Sequence, residues 1–245
     1  MSRFPELQEL MSGNGEFRNE TEEEHPGLVE ELAQGQHPKF AYLGCADSRV
    51  PETEVFGAEI GDLFVSRNVG NQFNIDDLSA ETTISYAIAH LGVQHVIVMG
   101  HYGCGAVQAA IASESDEAST DIGEARIDTW IRPIRSLFKS SNHSHIVAFR
   151  EAHADDETIA APNRTEPAFR ALVEENVKQQ VRNLADDSSV LKVSLSSPST
   201  ELKRSSSSGE EPVELWLHGW VYDVDTGLVT DLGVSVGPSG SADSE

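Results

Sequence analysis

The stretch FAYLGCADSRV, residues 40–50, joins an apolar run to three chemically different side chains. Four apolar residues followed by Gly44 are typical of a buried strand that ends at that point. A thiol, a carboxylate and a guanidinium follow on alternate residues, at Cys45, Asp47 and Arg49. In α/β proteins, ligands collect at the carboxyl ends of strands, so this stretch predicts a functional site there.

The only other cysteine lies in a second stretch of the same kind. The apolar run VIVM, residues 96–99, leads directly into GHYGCG, residues 100–105, which carries His101 and Cys104. The carboxyl ends of parallel strands meet at one edge of a sheet. We therefore expect Cys45, His101 and Cys104 to come together in space.

The rest of the pattern alternates short apolar strands with helices, which is typical of a parallel sheet covered by helices. We predict an α/β fold with a central, mainly parallel β-sheet flanked by helices, and a late C-terminal strand. The predicted strands cover 40–44, 63–69, 95–99 and 213–222, and the main predicted helices cover 80–90, 105–112, 127–138 and 168–185.

We interpret the whole chain, residues 1–245, as a single domain. Its first 34 residues form a polar N-terminal arm with short helices predicted over 5–11 and 26–33. A Ser-rich flexible loop is expected over 188–212, and residues 237–245 are expected to form a mobile tail.

Three local features complete the prediction. Ser79 is expected to cap the helix over 80–90, since serine is a favoured N-cap residue. The acidic segment 113–128 is expected to be a loop. The histidines His143 and His145 are expected to be exposed in a polar loop.

The charge of the chain restricts its partners. Asp and Glu number 41 against 17 Lys and Arg, a net charge of −24. Such a surface repels nucleic acid and anionic membrane, so we exclude both as partners. An acidic surface with 12 Arg and only 5 Lys predicts a protein that works in high salt, where ions screen the self-repulsion. A mesophilic protein with acidic loops remains the alternative.

Two cysteines in a chain of this length do not form a disulfide framework. The N-terminal residues contain no apolar signal segment, and no apolar run approaches the ~20 residues that span a bilayer. We therefore expect a cytoplasmic protein whose reduced thiols are available for a metal.

Thiolate and imidazole are preferred zinc ligands, and structural zinc sites usually have four protein ligands. The two motifs supply only three, Cys45, His101 and Cys104. Three protein ligands with an exchangeable fourth position are typical of catalytic zinc, which makes hydroxide from water near neutral pH. The alternative is a structural zinc clip in which Asp47 is the permanent fourth ligand.

Asp47 and Arg49 can pair if the backbone turns between them. A guanidinium that binds a carboxylate in two places keeps it ionised and away from a metal. Asp47 is then free to accept a hydrogen bond from the nucleophile and orient it. A cysteine phosphatase is disfavoured because only three residues separate Cys45 from Arg49, where a phosphate-binding loop has five.

The motifs CADSR, residues 45–49, and HYGCG, residues 101–105, resemble those of the β-class carbonic anhydrases, and the match runs from about Gly35 to Gly105. The resemblance implies a carbonate dehydratase, a lyase that reversibly hydrates CO2 to bicarbonate and a proton, with zinc-bound hydroxide as nucleophile. It implies one Zn²⁺ per chain, held by Cys45, His101 and Cys104, and a catalytic dyad of Asp47 and Arg49. It also implies a homodimer or larger assembly in which each site is partly built by the neighbouring chain.

Further positions are similar to the plant-type members of the family. The resemblance implies that Gln36 donates a hydrogen bond to substrate and that Gly105 brings its backbone close to it. Phe64, Val69 and Tyr86 resemble the apolar wall against which CO2 lies, as an apolar substrate requires. Considered without the resemblance, these three are ordinary core residues.

Regulation is the feature on which the sequence is mixed. Some members of the family bind bicarbonate at a second, non-catalytic site, which favours a closed form. These members have a Trp where this chain has Tyr42, although Gly44, Val50 and Arg67 match their pattern. We expect the open, unregulated form. Within the same fold, hydrolysis of carbonyl sulfide or carbon disulfide is the alternative, because both molecules resemble CO2.

Overall fold

A computed structural model describes residues 4–74, 76–113, 121–187 and 214–238 of the chain. It has two compact units, Met1–His37 and Pro38–Glu245. The predicted Ser-rich loop over 188–212 lies outside the described residues, as do residues 239–245 of the predicted tail. In the part of the chain that is described, no helix has an apolar stretch long enough to cross a membrane.

The first unit contains two helices, α1 (Pro5–Glu24) and α2 (Leu28–Leu32). Helix α1 begins as predicted at Pro5 but continues well beyond residue 11, through the acidic run over 20–24. It ends there because His25 precedes Pro26, and a residue before proline is pushed out of the helical region. The backbone of His25 is accordingly non-helical, with φ −133° and ψ 71°.

The second unit is built on a five-stranded sheet, which confirms the predicted mainly parallel α/β layout and adds a fifth strand after the four predicted ones. Its strands are β1 (Phe40–Cys45), β2 (Leu63–Asn68), β3 (His95–His101), β4 (Trp216–Asp223) and β5 (Leu228–Asp231). The order is β2-β1-β3-β4-β5, with only the β4–β5 pair antiparallel. The chain passes from β1 to β2 on one side and returns to β3 on the other. The carboxyl ends of β1 and β3 therefore lie side by side at a topological switch point.

Six helices accompany the sheet among the described residues: α3 (Glu52–Phe56), α4 (Leu78–Ala89), α5 (Gly105–Ile111), α6 (Ile122–Ser140), α7 (Ser144–Ala152) and α8 (Pro167–Asp187). Helix α8 confirms the helix predicted over 168–185, and it has one apolar face. It buries six side chains in the main core, namely Phe169, Leu172, Val173, Val177, Val181 and Leu184. Burial of this stripe holds α8 in the core that also contains β3 and β4 residues.

Three local predictions were wrong. Helix α4 starts two residues earlier, at Leu78, and its N-cap is Asp77, whose carboxylate accepts a hydrogen bond from the Ser79 amide. Helix α6 begins inside the predicted loop over 113–128, capped by Asp121. The predicted polar loop at residues 143–145 instead leads into α7, where Ile146 and Phe149 are buried on one face.

Candidate metal centre

The three predicted ligands meet at the carboxyl edge of the sheet. Cys45 and His101 are the last residues of β1 and β3, and Cys104 directly precedes α5. Their ligand atoms lie within 4.8 Å of one another, and all three residues are buried. The turn between His101 and Cys104 depends on Gly103, whose φ of +79° is in the left-handed region that favours glycine.

The donor set fits a transition metal such as zinc. Two thiols and an imidazole are the ligand types that zinc prefers, and the sulfur atoms of Cys45 and Cys104 are 3.9 Å apart. Nδ1 of His101 faces the carbonyl oxygen of Tyr102 at 3.2 Å, which leaves Nε2 for a ligand. Nε2 is buried and has no nitrogen or oxygen hydrogen-bond partner among the described residues. A buried polar atom without a partner is costly, and metal coordination would satisfy it.

The two thiols are prepared for metal binding by their proximity. The hydrogen bond from Cys104, followed by that from His101, lowers the pKa of the Cys45 thiol well below its usual value. The same contact, together with burial, raises the pKa of Cys104. The pair therefore gives up its first proton more readily than an isolated thiol, and a cation that displaces the remaining proton would be held by both sulfurs.

Asp47 and Arg49 form the predicted pair beside these ligands. Nε and Nη2 of Arg49 donate to the two carboxylate oxygens at 2.9 and 2.7 Å, and the Arg49 amide donates to Oδ1 at 3.0 Å. These bonds lower the pKa of Asp47 to about 2, so the carboxylate is ionised at any physiological pH. Its Oδ2 lies 3.7 Å from Nε2 of His101, at the edge of the ligand cluster.

Arg67 holds the loop that carries the dyad, a role that the sequence did not reveal. Its guanidinium donates to the carbonyl oxygens of Cys45 at 2.9 Å and Asp47 at 2.6 Å, and it pairs with Glu52 at 3.4 Å. The pairing of the two strands could have revealed this role, because Arg67 on β2 lies opposite Gly44 on β1, next to Cys45. Gly44 itself must be glycine, because an added Cβ would lie 2.2 Å from the ring of Tyr42.

The sequence model of the carbonic anhydrase family matches residues 40–229, a range that includes both motifs. The chain belongs to the carbonic anhydrase family. A carbonic anhydrase from Emericella nidulans is 34% identical over 209 residues, which are 85% of this chain and 75% of that relative.

Solved structures assign this carbonic anhydrase to the β class. The structure of a Coccomyxa β-carbonic anhydrase in complex with acetazolamide is 29% identical, covers 92% of this chain and 86% of its own, and has a TM-score of 0.70. One of two tetrameric β-carbonic anhydrases from Sordaria macrospora shares the fold at 24% identity, with a TM-score of 0.71 and coverage of 95% and 99%. The chain is thus an enzyme of CO2 hydration with a metal-binding centre.

The residues predicted to bind substrate do not all lie at the metal centre of this carbonic anhydrase chain. Phe64 pairs with Ala41, four residues before Cys45, which places it about 13 Å back along the strand at ~3.3 Å per residue. Phe64 stacks on Tyr86 at 5.8 Å, and both line an open groove of about 600 Å³ beside α4.

The other predicted substrate residues differ in position. Val69 directly follows β2 at the metal end, and Gly105 is the first residue of α5. Gln36 belongs to the first unit. The interpretation of the apolar set as core is wrong for Val69 and Tyr86, whose exposed fractions are 45% and 44%.

Proposed function

We propose that this β-class carbonic anhydrase is a zinc enzyme that reversibly hydrates CO2 to bicarbonate and a proton. One observation carries the proposal. Two sulfur donors and an imidazole nitrogen lie within 4.8 Å of one another, and an ionised carboxylate held by an arginine lies at their edge. A buried cluster of this composition suits catalytic zinc because it leaves the fourth ligand position free for water.

In this proposal Cys45, His101 and Cys104 hold one Zn²⁺ per chain. A zinc ion bound there would act as a Lewis acid that lowers the pKa of water to about 7. The chain's contribution is to keep His101 in the tautomer that presents Nε2, through the contact of Nδ1 with the Tyr102 carbonyl. It also keeps the cluster buried, so that few other waters compete for the same donors.

Asp47 and Arg49 form the catalytic dyad. The ionised Asp47 carboxylate accepts a hydrogen bond from the attacking water and so directs a lone pair of its oxygen toward CO2. Arg49 engages both carboxylate oxygens, which supports an open form in which Asp47 stays off the metal. We also propose that bicarbonate does not regulate this open form.

We further propose that Gln36, Phe64, Val69, Tyr86 and Gly105 bind substrate in a homodimer or larger assembly. The exposed apolar surface of Val69 and Tyr86 supports burial against a second copy. The distance of Phe64 from Cys45 along the strand supports a site to which each chain gives its apolar residues and receives its metal ligands from the other.

The proposed working environment is a cytoplasm with high salt. Both cysteines are free thiols, which metal binding requires and which reducing conditions preserve. The net charge of −24 repels itself unless ions screen it. We expect the melting temperature to rise between low and molar KCl in a thermal scan. A fall over that range would contradict adaptation to salt.

The decisive experiment is a stopped-flow CO2 hydration assay on purified protein, with zinc measured in the same sample. We expect about one zinc per chain and hydration well above the buffer rate. Acetazolamide, which is bound in the Coccomyxa structure, is the probe for the open ligand position and should inhibit the reaction. A zinc-replete sample without hydration at any salt concentration would refute the proposed function.

A further inference from the structure

Tyr102, which lies between two metal ligands, is held more firmly than the turn itself requires. Its backbone amide donates to the carbonyl oxygen of Tyr222 at 2.9 Å. Its hydroxyl donates to Oε1 of Glu174 on α8 at 2.7 Å. The side chain is only 9% exposed. The residue is thus fixed at both its backbone and the far end of its side chain.

A second set of contacts holds the ring of Tyr102. The guanidinium carbon of Arg170 lies 3.4 Å from the ring centroid, within cation–π distance. Arg170 lies one helical turn before Glu174 on α8, so both side chains reach the same tyrosine. Nη2 of Arg170 also donates to Oδ2 of Asp223 at 3.1 Å, and Asp223 is the last residue of β4. We call Tyr102, Arg170, Glu174 and Asp223 the tyrosine clamp.

The clamp joins α8 to the end of β4 and closes on itself. Asp223 directly follows Tyr222, whose carbonyl accepts the hydrogen bond from the Tyr102 amide. Tyr102 therefore contacts β4 through its backbone and, through Arg170, contacts β4 again with its ring. A residue held in two ways by two elements of the core cannot rotate without breaking several of these contacts.

Two carbonyl groups of this turn, those of Tyr102 and Gly103, contact residues of the candidate site. The Tyr102 carbonyl oxygen faces Nδ1 of His101 at 3.2 Å, the contact that decides which imidazole nitrogen points toward a metal. The next carbonyl, that of Gly103, accepts a hydrogen bond from Nη2 of Arg49 at 3.1 Å. The turn held by the clamp thus carries the acceptor for the imidazole and an acceptor for the dyad.

We propose that Tyr102 is a positioning residue, through which Glu174, Arg170 and Asp223 fix the orientation of His101 and of Arg49. The inference rests on the proposed zinc function. Tyr102 acts through its backbone carbonyl and through Gly103, and its side chain supplies the rigidity. A metal-bound histidine usually donates its other ring N–H to a protein group. Altering that group typically lowers metal affinity or activity about 10-fold to 100-fold.

The test compares variants that remove the clamp in steps. Tyr102→Ala removes both ring and hydroxyl, and we expect zinc affinity, measured by competition with a chelator, to fall roughly 10-fold to 100-fold. Tyr102→Phe keeps the ring beneath Arg170, and Glu174→Ala removes only the acceptor. Each of these should weaken zinc binding by roughly threefold to tenfold, the effect of one net hydrogen bond.

A spectroscopic measurement separates positioning from general stability. Cobalt replaces zinc in the apo-protein, and its visible absorption reports the ligand geometry. We expect the cobalt spectrum of Tyr102→Ala and Glu174→Ala to differ from that of the natural protein. Glu175→Ala is the matched control, since Glu175 is adjacent on α8 but pairs with Lys178 instead. It should leave both zinc affinity and the cobalt spectrum unchanged.

The outcomes are distinct. If Glu174→Ala and Tyr102→Phe bind zinc as tightly as the natural protein, with the same cobalt spectrum, the clamp has no positioning role. That result holds even if Tyr102→Ala fails to fold, because the other two variants keep the buried ring or the whole tyrosine. If the natural protein itself binds no zinc or lacks hydration activity, the proposed function fails, and the inference about Tyr102 fails with it.

Discussion

The carboxyl edge of the sheet and the groove beside α4 are built in contrasting ways. At the edge, Asp47, Arg49 and Arg67 are each held by charged or carbonyl partners within the same chain. Beside α4, by contrast, an open groove combines large apolar side chains with small hydroxyl side chains, and Tyr86 is 44% and Leu78 75% exposed. The polar edge finds its partners within one chain, whereas we propose that a second copy covers the exposed apolar side chains of the groove.

The largest effect is expected from removing a metal ligand. His101→Ala should reduce zinc from about one per chain to a trace and hydration to the background rate, since two thiols alone do not make a catalytic zinc site. Zinc analysis and stopped-flow hydration measure the two quantities. His145→Ala is the matched control, because His145 is exposed on α7. Full activity in His101→Ala would show that the polar edge is not the catalytic centre.

Asp47→Asn tests whether the carboxylate is catalytic or a structural ligand. We expect zinc to be retained and hydration to fall roughly 10²-fold to 10⁴-fold, the range for loss of a proton acceptor at the reacting group. Stopped-flow rates, zinc content and melting temperature are measured together. Asp62→Asn, which alters a carboxylate paired with Lys39, should leave the rate unchanged. Loss of zinc with a lower melting temperature would support the structural clip instead.

The next largest loss of activity is expected from a substitution in the groove. The same substitution tests whether the groove serves the site of its own chain or that of a second chain. Tyr86→Ala should lower kcat/KM for CO2 roughly 10-fold or more, the cost of altered packing around a small apolar substrate, with zinc content unchanged. Both effects are measured on the purified variant.

A mixing experiment then assigns the groove to one site or the other. When Tyr86→Ala and His101→Ala chains are refolded together, each mixed dimer contains one site with intact ligands and an intact groove. About a quarter of the natural number of sites should return. If mixing restores nothing, Tyr86 serves the ligands of its own chain or no site at all.

The same contrast explains what the sequence could predict. The strands and α8 were predictable because apolar periodicity records burial directly. The ligands followed because Cys45 and His101 end parallel strands. The capping by Asp77 was missed because Ser79 satisfies the same local pattern. The roles of Arg67 and Tyr102 depend on partners far along the chain, which spacing does not reveal.

The burial of α7 and the exposure of Tyr86 have a related cause. Ile146 and Phe149 are buried because tertiary packing outweighs the polar residues around them. Tyr86 looks like a core residue because apolar periodicity is the same whether a face packs inside one chain or against another. The sequence therefore predicts that such a face is buried, but not which chain covers it.

The smallest expected effect concerns acid, and it separates the two regions by their chemistry. Arg49 lowers the pKa of Asp47 from 3.8 to about 2, so the folded state favours the ionised carboxylate. The resulting stability is fully present above pH 3.8 and is lost as the pH falls through about 2. In urea unfolding of the apo-protein, the free energy of unfolding of the natural protein should therefore exceed that of Asp47→Asn by a margin that shrinks over this interval. The margin is expected to be small because Arg49 is 51% exposed and water screens the pair. The effect of Tyr86→Ala on the free energy of unfolding should not change over the same interval, since the contacts it removes are apolar. A margin for Asp47→Asn that stayed constant down to pH 2 would mean that the Arg49 pair does not stabilise the fold.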